Sequence, residues 1–152
     1  MKRISVTTLE KFRRYMAETS SFDTEESLIE SLKGLFKGND KTKFGSACHK
    51  IVEGEYIGHE GEVAVVIDNE VFVFHKEQYT PYLDYRIAHP LMIHEMPVQK
   101  VYETAFGPIQ VTGRIDGIEG CVVRDLKNRF RALSDSDYTE SCQWKFYLEM
   151  LF

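Results

Sequence analysis

The stretch of the chain that decides the fold is GRIDGIEGCVVRDLK, residues 113–127. Apolar and polar residues alternate on both sides of a glycine-containing turn, which is typical of a β-hairpin. If Glu119-Gly120 form a two-residue turn, Asp116 falls opposite Val123 and diagonal to Asp125. The two carboxylates then share one face with Cα atoms roughly 7–8 Å apart. Carboxylates at this spacing can share one Mg²⁺ or Ca²⁺ ion at oxygen distances of ~2.0–2.6 Å.

Lys127 lies two residues after Asp125, so strand alternation directs both side chains to the same face. Two neighbouring acids raise each other's pKa unless a cation compensates them. A divalent ion between Asp116 and Asp125 would do so and act as a Lewis acid. If the ion activates water for attack on a phosphate ester, Lys127 would either orient that water or stabilise the negative charge on the phosphate. The alternative is that Asp116 caps a turn and the other two residues form an ordinary solvated edge.

Hydrophobic periodicity outlines the remaining elements. It predicts a capped helix beginning at Thr7-Thr8, helices over residues 25–36, 43–56, 76–88 and 139–150, a hairpin over 62–74, and strands over 98–104, 109–116 and 121–127. Helices, an antiparallel meander and a last helix predict a mixed α/β fold with a central, mainly antiparallel or mixed sheet flanked by helices. Because no repeat or Pro/Ser-rich linker interrupts the chain, residues 1–152 are expected to form a single domain.

The charge balance limits how the chain could bind nucleic acid. Its 24 acidic and 19 basic residues give a net charge of −5, which argues against DNA binding by counterion release alone. A nuclease concentrates carboxylates at its site and needs basic residues only nearby. Lys127, Arg129 and Arg131 lie next to the acidic pair, and the two arginines are candidate DNA contacts.

The composition favours a cytoplasmic protein that does not associate with membranes. No apolar run approaches the ~20 residues of a membrane-spanning helix, and residues 1–5 lack the features of a secretory signal. The cysteines, Cys48, Cys121 and Cys142, have unrelated spacings, which indicates neither a disulfide framework nor a zinc site.

Four segments, in this order, resemble the RecB-like branch of the PD-(D/E)XK nuclease superfamily. They are the opening residues 4–12, residues 44–53 with a glycine and His49, the hairpin motif Gly113-x-x-Asp116 with Asp125-Leu126-Lys127, and Gln143-x-x-x-Tyr147. The resemblance implies a restriction-endonuclease-like core in a bacterial or phage-encoded protein. It also implies a metal-dependent DNA nuclease, more specifically an exonuclease, acting in recombination, repair or phage DNA processing.

The resemblance implies a role for each matched residue. The implied metal ligands are His49, Asp116, Asp125 and the backbone carbonyl of Leu126. The implied catalytic residues beyond the two acids are Lys127, Gln143 and Tyr147, the last two lining the site, contacting DNA or orienting the lysine. Without the resemblance, His49 could be a core residue, and Gln143 with Tyr147 could be a helix edge. Glu53 lies one helical turn after His49 and shares its face. It either contacts the metal ligands without binding the ion itself or is an ordinary surface residue.

Histidine ligation bears on the choice of metal. Mn²⁺ tolerates imidazole, whereas Mg²⁺ prefers oxygen ligands, so we expect activity with Mg²⁺ or Mn²⁺ and Mn²⁺ to be at least as effective. Some RecB-like members carry a four-cysteine iron–sulfur cluster. The cysteines of this chain lie inside core segments and in the last helix, so no iron–sulfur cluster is expected. The other histidines, His59, His75, His89 and His94, show no mutual ligand spacing and are predicted to be surface residues.

The chain ends five residues after Tyr147, whereas family members usually continue past this helix. The domain is therefore expected to be short at its C-terminus, part of a longer chain, or completed by homo-oligomerisation or by a recombination or repair partner. One alternative keeps the fold but not the chemistry: a catalytically silent DNA-binding or scaffold module of a recombination or repair complex. Another alternative is a protein-interaction domain unrelated to nucleic acid. This alternative requires the similarity of all four segments to the nuclease family to be coincidental.

Overall fold

The computed structural model describes residues 1–18, 23–35, 38–128 and 135–152. The helices are α1 (Val6–Met16), α2 (Glu25–Leu32), α3 (Asp40–Glu53), α4 (Lys76–Ala88), α5 (Asp135–Thr139) and α6 (Gln143–Leu151). The strands are β1 (Lys2–Ser5), β2 (Ile57–His59), β3 (Glu62–Ile67), β4 (Glu70–His75), β5 (Ile93–Tyr102), β6 (Ile109–Glu119) and β7 (Val122–Arg124). The predicted mixed α/β class is confirmed.

The sheet around β6 is mixed rather than a purely antiparallel meander. β6 pairs in parallel with β1, from Lys2↔Ile109 to Ser5↔Thr112, and in antiparallel with β7. The sequence did not reveal β1, because a strand of four residues shows too little alternation to be recognised. The predicted hairpin belongs to a separate three-stranded sheet in the order β2-β3-β4, whose first strand was also missed.

The chain divides into two compact units, and the first contains the described residues 1–18, 23–35, 95–115 and 135–152. Ser5 ends β1 and caps α1, since its Oγ accepts a hydrogen bond of 3.0 Å from the backbone N–H of Thr8. Val6, Val111 and Ile115 are buried in this unit. α1 packs against α2 and α6. β1, which pairs with β6, thus leads directly into α1.

Glu10 is a buried carboxylate that links α1 to the start of α6. It accepts hydrogen bonds from the backbone N–H of Cys142 at 2.7 Å and from Ser141 Oγ at 3.2 Å, and it pairs with Arg13 at 2.8 Å. Burial alone would raise the pKa of Glu10, but Arg13 and the Cys142 donors hold this pKa below its ordinary value. The carboxylate therefore stays charged where α6 begins.

The second unit contains the described residues 38–94 and 116–128. Its β2-β3-β4 sheet has two-residue turns at Glu60-Gly61 and Asp68-Asn69, and all four residues have positive φ, as type I′ hairpin turns require. These turns set the register that directs Val63, Val65 and Phe74 inward. The buried cluster also includes Cys48 and Ile51 of α3.

Helix ends differ from the sequence expectations where capping residues intervene. α3 begins at Asp40 rather than residue 43, because Asn39 Oδ1 accepts a 3.0 Å hydrogen bond from Thr42 N–H, and it ends before Gly54, which has φ +84°. α2 ends at Leu32 instead of residue 36, which lies outside the described positions. α6 begins at Gln143 rather than at residue 139, and Thr139 is instead the last residue of α5. The hairpin and α4 match their predicted positions. No helix among the described residues could cross a membrane.

Candidate functional site

The β6–β7 hairpin turns one residue later than the sequence predicted. The observed pairs are Glu119↔Val122, Ile118↔Val123 and Gly117↔Arg124, so the turn is Gly120-Cys121 and not Glu119-Gly120. Gly120 has φ +58°, and glycine favours the first central position of a type II′ turn. β7 also ends at Arg124 and does not reach residue 127. The residues from Asp125 to Lys127 therefore lie just beyond the ladder.

This change of register preserves the face that Asp116 and Asp125 were predicted to share. Continued by one pair, the observed register sets Asp116 opposite Asp125 rather than opposite Val123. A shift of two positions keeps the same side of the pleat, whereas a shift of one would reverse it. In place of a further ladder bond, the backbone N–H of Leu126 donates a hydrogen bond of 2.7 Å to Asp116 Oδ2.

His49 of α3 lies against the same segment. Its Nε2 is 3.1 Å from the carbonyl oxygen of Leu126, and its Nδ1 is 3.8 Å from Asp116 Oδ1. A protonated Nε2 donates a hydrogen bond to that carbonyl, whereas a deprotonated Nε2 can bind a cation together with it. Donors bound about 2.1 Å from one ion lie about 3 Å apart at right angles. The structure thus brings three of the four predicted ligands close together. The Leu126 carbonyl faces Nε2 and the Asp116 carboxylate faces Nδ1, so only the pair of Nε2 and the carbonyl has the spacing of two ligands of one ion.

The electrostatics of Asp116 also fit a cation. Burial raises the pKa of Asp116 to about 6, and the nearby Asp125 charge adds to the increase. The His49 ring, the Leu126 N–H and Lys127 act in the opposite direction but do not cancel the effect of burial. Only 16% of the Asp116 side chain is exposed. A divalent cation would stabilise the charged carboxylate that burial disfavours.

Asp125 and Lys127 lie side by side, as their spacing predicted. Lys127 Nζ is 2.9 Å from Asp125 Oδ1, and about 30% of each side chain is exposed. Asn128, the next residue, accepts a hydrogen bond of 2.9 Å from Tyr82 of α4. Burial raises the pKa of Tyr82, and so does a hydrogen bond with Cys48, which keeps the hydroxyl protonated. No sequence pattern predicted this contact, because Tyr82 and Asn128 are far apart along the chain.

Glu53 lies one helical turn after His49 and is more enclosed than an ordinary surface residue. Its carboxylate and the His49 ring offer ligand atoms within 4.8 Å of each other. One carboxylate oxygen also pairs with Lys50 Nζ at 3.0 Å, and only 9% of the Glu53 side chain is exposed. The structure therefore puts Glu53 beside the candidate ligands of α3, consistent with the supporting role that the sequence left open.

Gln143 and Tyr147 belong to the first unit and contact β6 there. Tyr147 is 3% exposed and donates a hydrogen bond of 2.8 Å to the carbonyl oxygen of Arg114. Gln143 Nε2 donates one of 3.0 Å to the Tyr147 hydroxyl. A Cβ on Gly113 would lie only 2.6 Å from the Tyr147 ring, so the glycine of the motif permits close packing of α6 on the strand. These contacts fix the strand backbone two residues before Asp116.

Two predicted DNA contacts, Arg129 and Arg131, lie outside the described residues. Comparisons of the chain with protein-family models, with curated proteins and with solved structures found no match, so the family resemblance remains a prediction from the residues alone.

Proposed function

We propose that this chain is a divalent-metal-dependent nuclease that hydrolyses phosphodiester bonds in DNA. The observation that carries the proposal is the position of the His49 ring between two oxygen donors: its Nε2 is 3.1 Å from the Leu126 carbonyl oxygen, and its Nδ1 is 3.8 Å from Asp116 Oδ1. The three groups come from a helix and from both arms of a hairpin, so local sequence proximity does not explain their meeting. The finer assignment, an exonuclease of recombination, repair or phage DNA processing, rests on the four resembling segments.

Nitrogen and oxygen donors of this kind suit Mg²⁺ or Mn²⁺, and the imidazole favours Mn²⁺. His49 Nε2 and the Leu126 carbonyl would hold the ion, with Asp116 and Asp125 as the candidate carboxylates. When bound, such an ion supplies Lewis-acid activation of a water molecule and neutralises charge on the phosphate oxygens. Glu53, beside His49, would restrict the orientation of the imidazole.

Lys127 supplies the positive charge that a reacting phosphate needs. Its pairing with Asp125 at 2.9 Å holds the ammonium group at the candidate ligands. When a phosphate approaches, the ammonium group can donate a hydrogen bond to a non-bridging oxygen while Asp125 still balances its charge. Tyr82 anchors the adjacent Asn128, which limits the freedom of this segment. No side chain needs to form a covalent intermediate, because water provides the oxygen of the new P–O bond.

The test is cleavage of labelled linear single- and double-stranded DNA in Mg²⁺, Mn²⁺, Ca²⁺ or EDTA. The wild type is compared with Asp116→Asn and Lys127→Met, and Lys76→Met, an exposed lysine in the first turn of α4, is the matched control. We expect cleavage in Mg²⁺ and at least equal cleavage in Mn²⁺. Each site variant should lose about 100-fold or more in rate, while Lys76→Met keeps wild-type activity.

Three outcomes would contradict the nuclease proposal. Cleavage that continues in EDTA would show that no divalent ion is needed, and cleavage unaffected by Asp116→Asn would exclude the proposed ligands. Cleavage in Ca²⁺ equal to or better than in Mn²⁺ would contradict the assigned metal. Tight DNA binding without cleavage in any metal, unchanged by Asp116→Asn, would identify the chain as a scaffold instead.

A further inference from the structure

One face of the β2-β3-β4 sheet carries a row of three potential metal ligands. His59 of β2 pairs with Glu62 of β3, and Glu62 pairs with His75 of β4. Residues directly opposite each other in antiparallel strands project to the same face. The inward face carries the buried Val63, Val65 and Phe74, so the row lies on the exposed face. The spacing of these residues in the sequence does not indicate a metal site, because the three side chains become neighbours only through the pairing of the strands.

The row has the dimensions of a metal site. Cα atoms of opposite residues are roughly 4.5–5.5 Å apart, so the two histidines lie roughly 10 Å apart with Glu62 between them. His75 Nδ1 is already 2.8 Å from Glu62 Oε1. Two donors bound to one ion at about 2.0–2.1 Å lie about 2.8–3.3 Å from each other. The His75–Glu62 contact therefore has the spacing of two adjacent ligands.

We propose that His59, Glu62 and His75 bind one transition-metal ion of the Zn²⁺ class on this face. Two imidazoles and a carboxylate are the donors that zinc accepts, with water in the remaining position. The site is separate from the candidate nuclease centre and does not depend on it. The other strongly exposed side chains of this face are apolar: Ile57, Val66, Val71 and Val73. The three ligands are thus the polar end of an otherwise apolar surface.

His59 would have to change its rotamer to complete the set. Its Nδ1 lies 4.0 Å from Glu60 Oε2, over the turn, and 82% of its side chain is exposed. An exposed imidazole moves between staggered rotamers at little cost. His75 stands at the N-cap of α4, where the helix dipole is positive. Glu77 in the first turn of that helix offsets this charge.

The test is Zn²⁺ binding by the full chain, without a histidine tag, measured by calorimetry and by the absorption of bound Co²⁺. All proteins carry His49→Ala, which removes the imidazole of the other candidate centre. We expect one bound ion, weakened at least about tenfold by His59→Ala, by His75→Ala and by Glu62→Gln. Glu60→Gln changes an exposed glutamate in the adjoining turn and should leave the affinity unchanged.

The proposal is overturned if both histidine variants bind Zn²⁺ as the parent does. It is equally overturned if Glu60→Gln weakens binding while Glu62→Gln does not. All three side chains are exposed, so circular dichroism should show folded variants, and a loss of affinity then reports on the ligands. Because no DNA is present, failure of this test leaves the nuclease proposal intact, and the reverse also holds.

Discussion

The backbone N–H of Leu126 donates a hydrogen bond of 2.7 Å to Asp116 Oδ2. The Asp116 carboxylate therefore accepts the first hydrogen bond beyond the end of the β6–β7 ladder. The same carboxylate is largely buried, and burial raises its pKa to about 6. At neutral pH, folding therefore holds a charged group where a neutral one would be more stable. Perturbed carboxylates of this kind cluster at functional sites, so the burial of Asp116 supports the proposed cation site.

We predict that Asp116→Asn stabilises the metal-free protein at pH 7.5. The amide oxygen can still accept the Leu126 hydrogen bond, but the buried charge is gone. The folded-state pKa of Asp116 lies above its ordinary value of 3.8, so the wild type loses stability as pH rises from about 4 to about 6. Above that window the variant should be more stable by on the order of 2 kcal/mol, or several degrees in Tm.

Thermal unfolding in EDTA at pH 4 and at pH 7.5 measures this difference. Near pH 4 the two proteins should unfold at similar temperatures. Saturating Mn²⁺ should raise the Tm of the wild type but not that of Asp116→Asn, because ligand binding stabilises only a protein that keeps its ligands. A variant less stable than the wild type in EDTA at pH 7.5 would rule out this account.

We predict that Tyr82→Phe reduces catalysis more than it reduces stability. The change removes the hydroxyl that donates to Asn128 at 2.9 Å and should cost about 0.5–1.5 kcal/mol in free energy of unfolding. Because Asn128 follows Lys127, loosening this segment should lower kcat severalfold and leave the KM for DNA nearly unchanged. Tyr79→Phe, on the same helix, is the matched control. If Tyr82→Phe and Tyr79→Phe change kcat equally, Tyr82 does not position the segment that contains Lys127.

We predict that Gly113→Ala destabilises the protein by about 1–3 kcal/mol, the usual cost of overpacking. The added Cβ would lie 2.6 Å from the Tyr147 ring. Gly45→Ala in α3 is the matched control, since its Cβ would meet no atom within 4 Å and alanine favours a helix by roughly 1 kcal/mol. Urea unfolding of both variants gives the comparison. If Gly113→Ala is neutral, the glycine has no packing role against Tyr147.

The features that the sequence predicted correctly are governed by local patterns. The hairpin over residues 62–74 follows from alternation and from the Asp68-Asn69 turn. The turn lies one residue later than predicted, which shifts the pairing by two residues; the observed register, extended by one pair, would therefore still put Asp116 and Asp125 on one face. α4 was likewise predicted at its observed limits. In each case the residues that determine the structure are close to one another in the sequence.

The features that the sequence did not reveal depend on pairings between distant segments. β1 is a short strand whose partner, β6, begins more than 100 residues later. The contact between Tyr82 and Asn128 arises from the packing of α4, which no local spacing encodes. The predicted convergence of His49 on the hairpin came from the resemblance rather than from the pattern of residues around it.

Glu10 offers a prediction about acid stability in the first unit. Its folded-state pKa lies below the ordinary value of 4.5 because Arg13 and the donors of Cys142 outweigh burial. The charged carboxylate therefore stabilises the fold above pH 4.5, and this stabilisation is lost as pH falls through the lowered pKa. Glu10→Gln should cost about 1.5–3 kcal/mol at pH 7, and the difference from wild type should shrink as the pH falls below about 4. Urea unfolding at several pH values measures it, with the exposed Glu30→Gln as the control. A difference that stays constant from pH 7 to pH 3 would mean that packing of the side chain, and not its charge, joins α1 to α6.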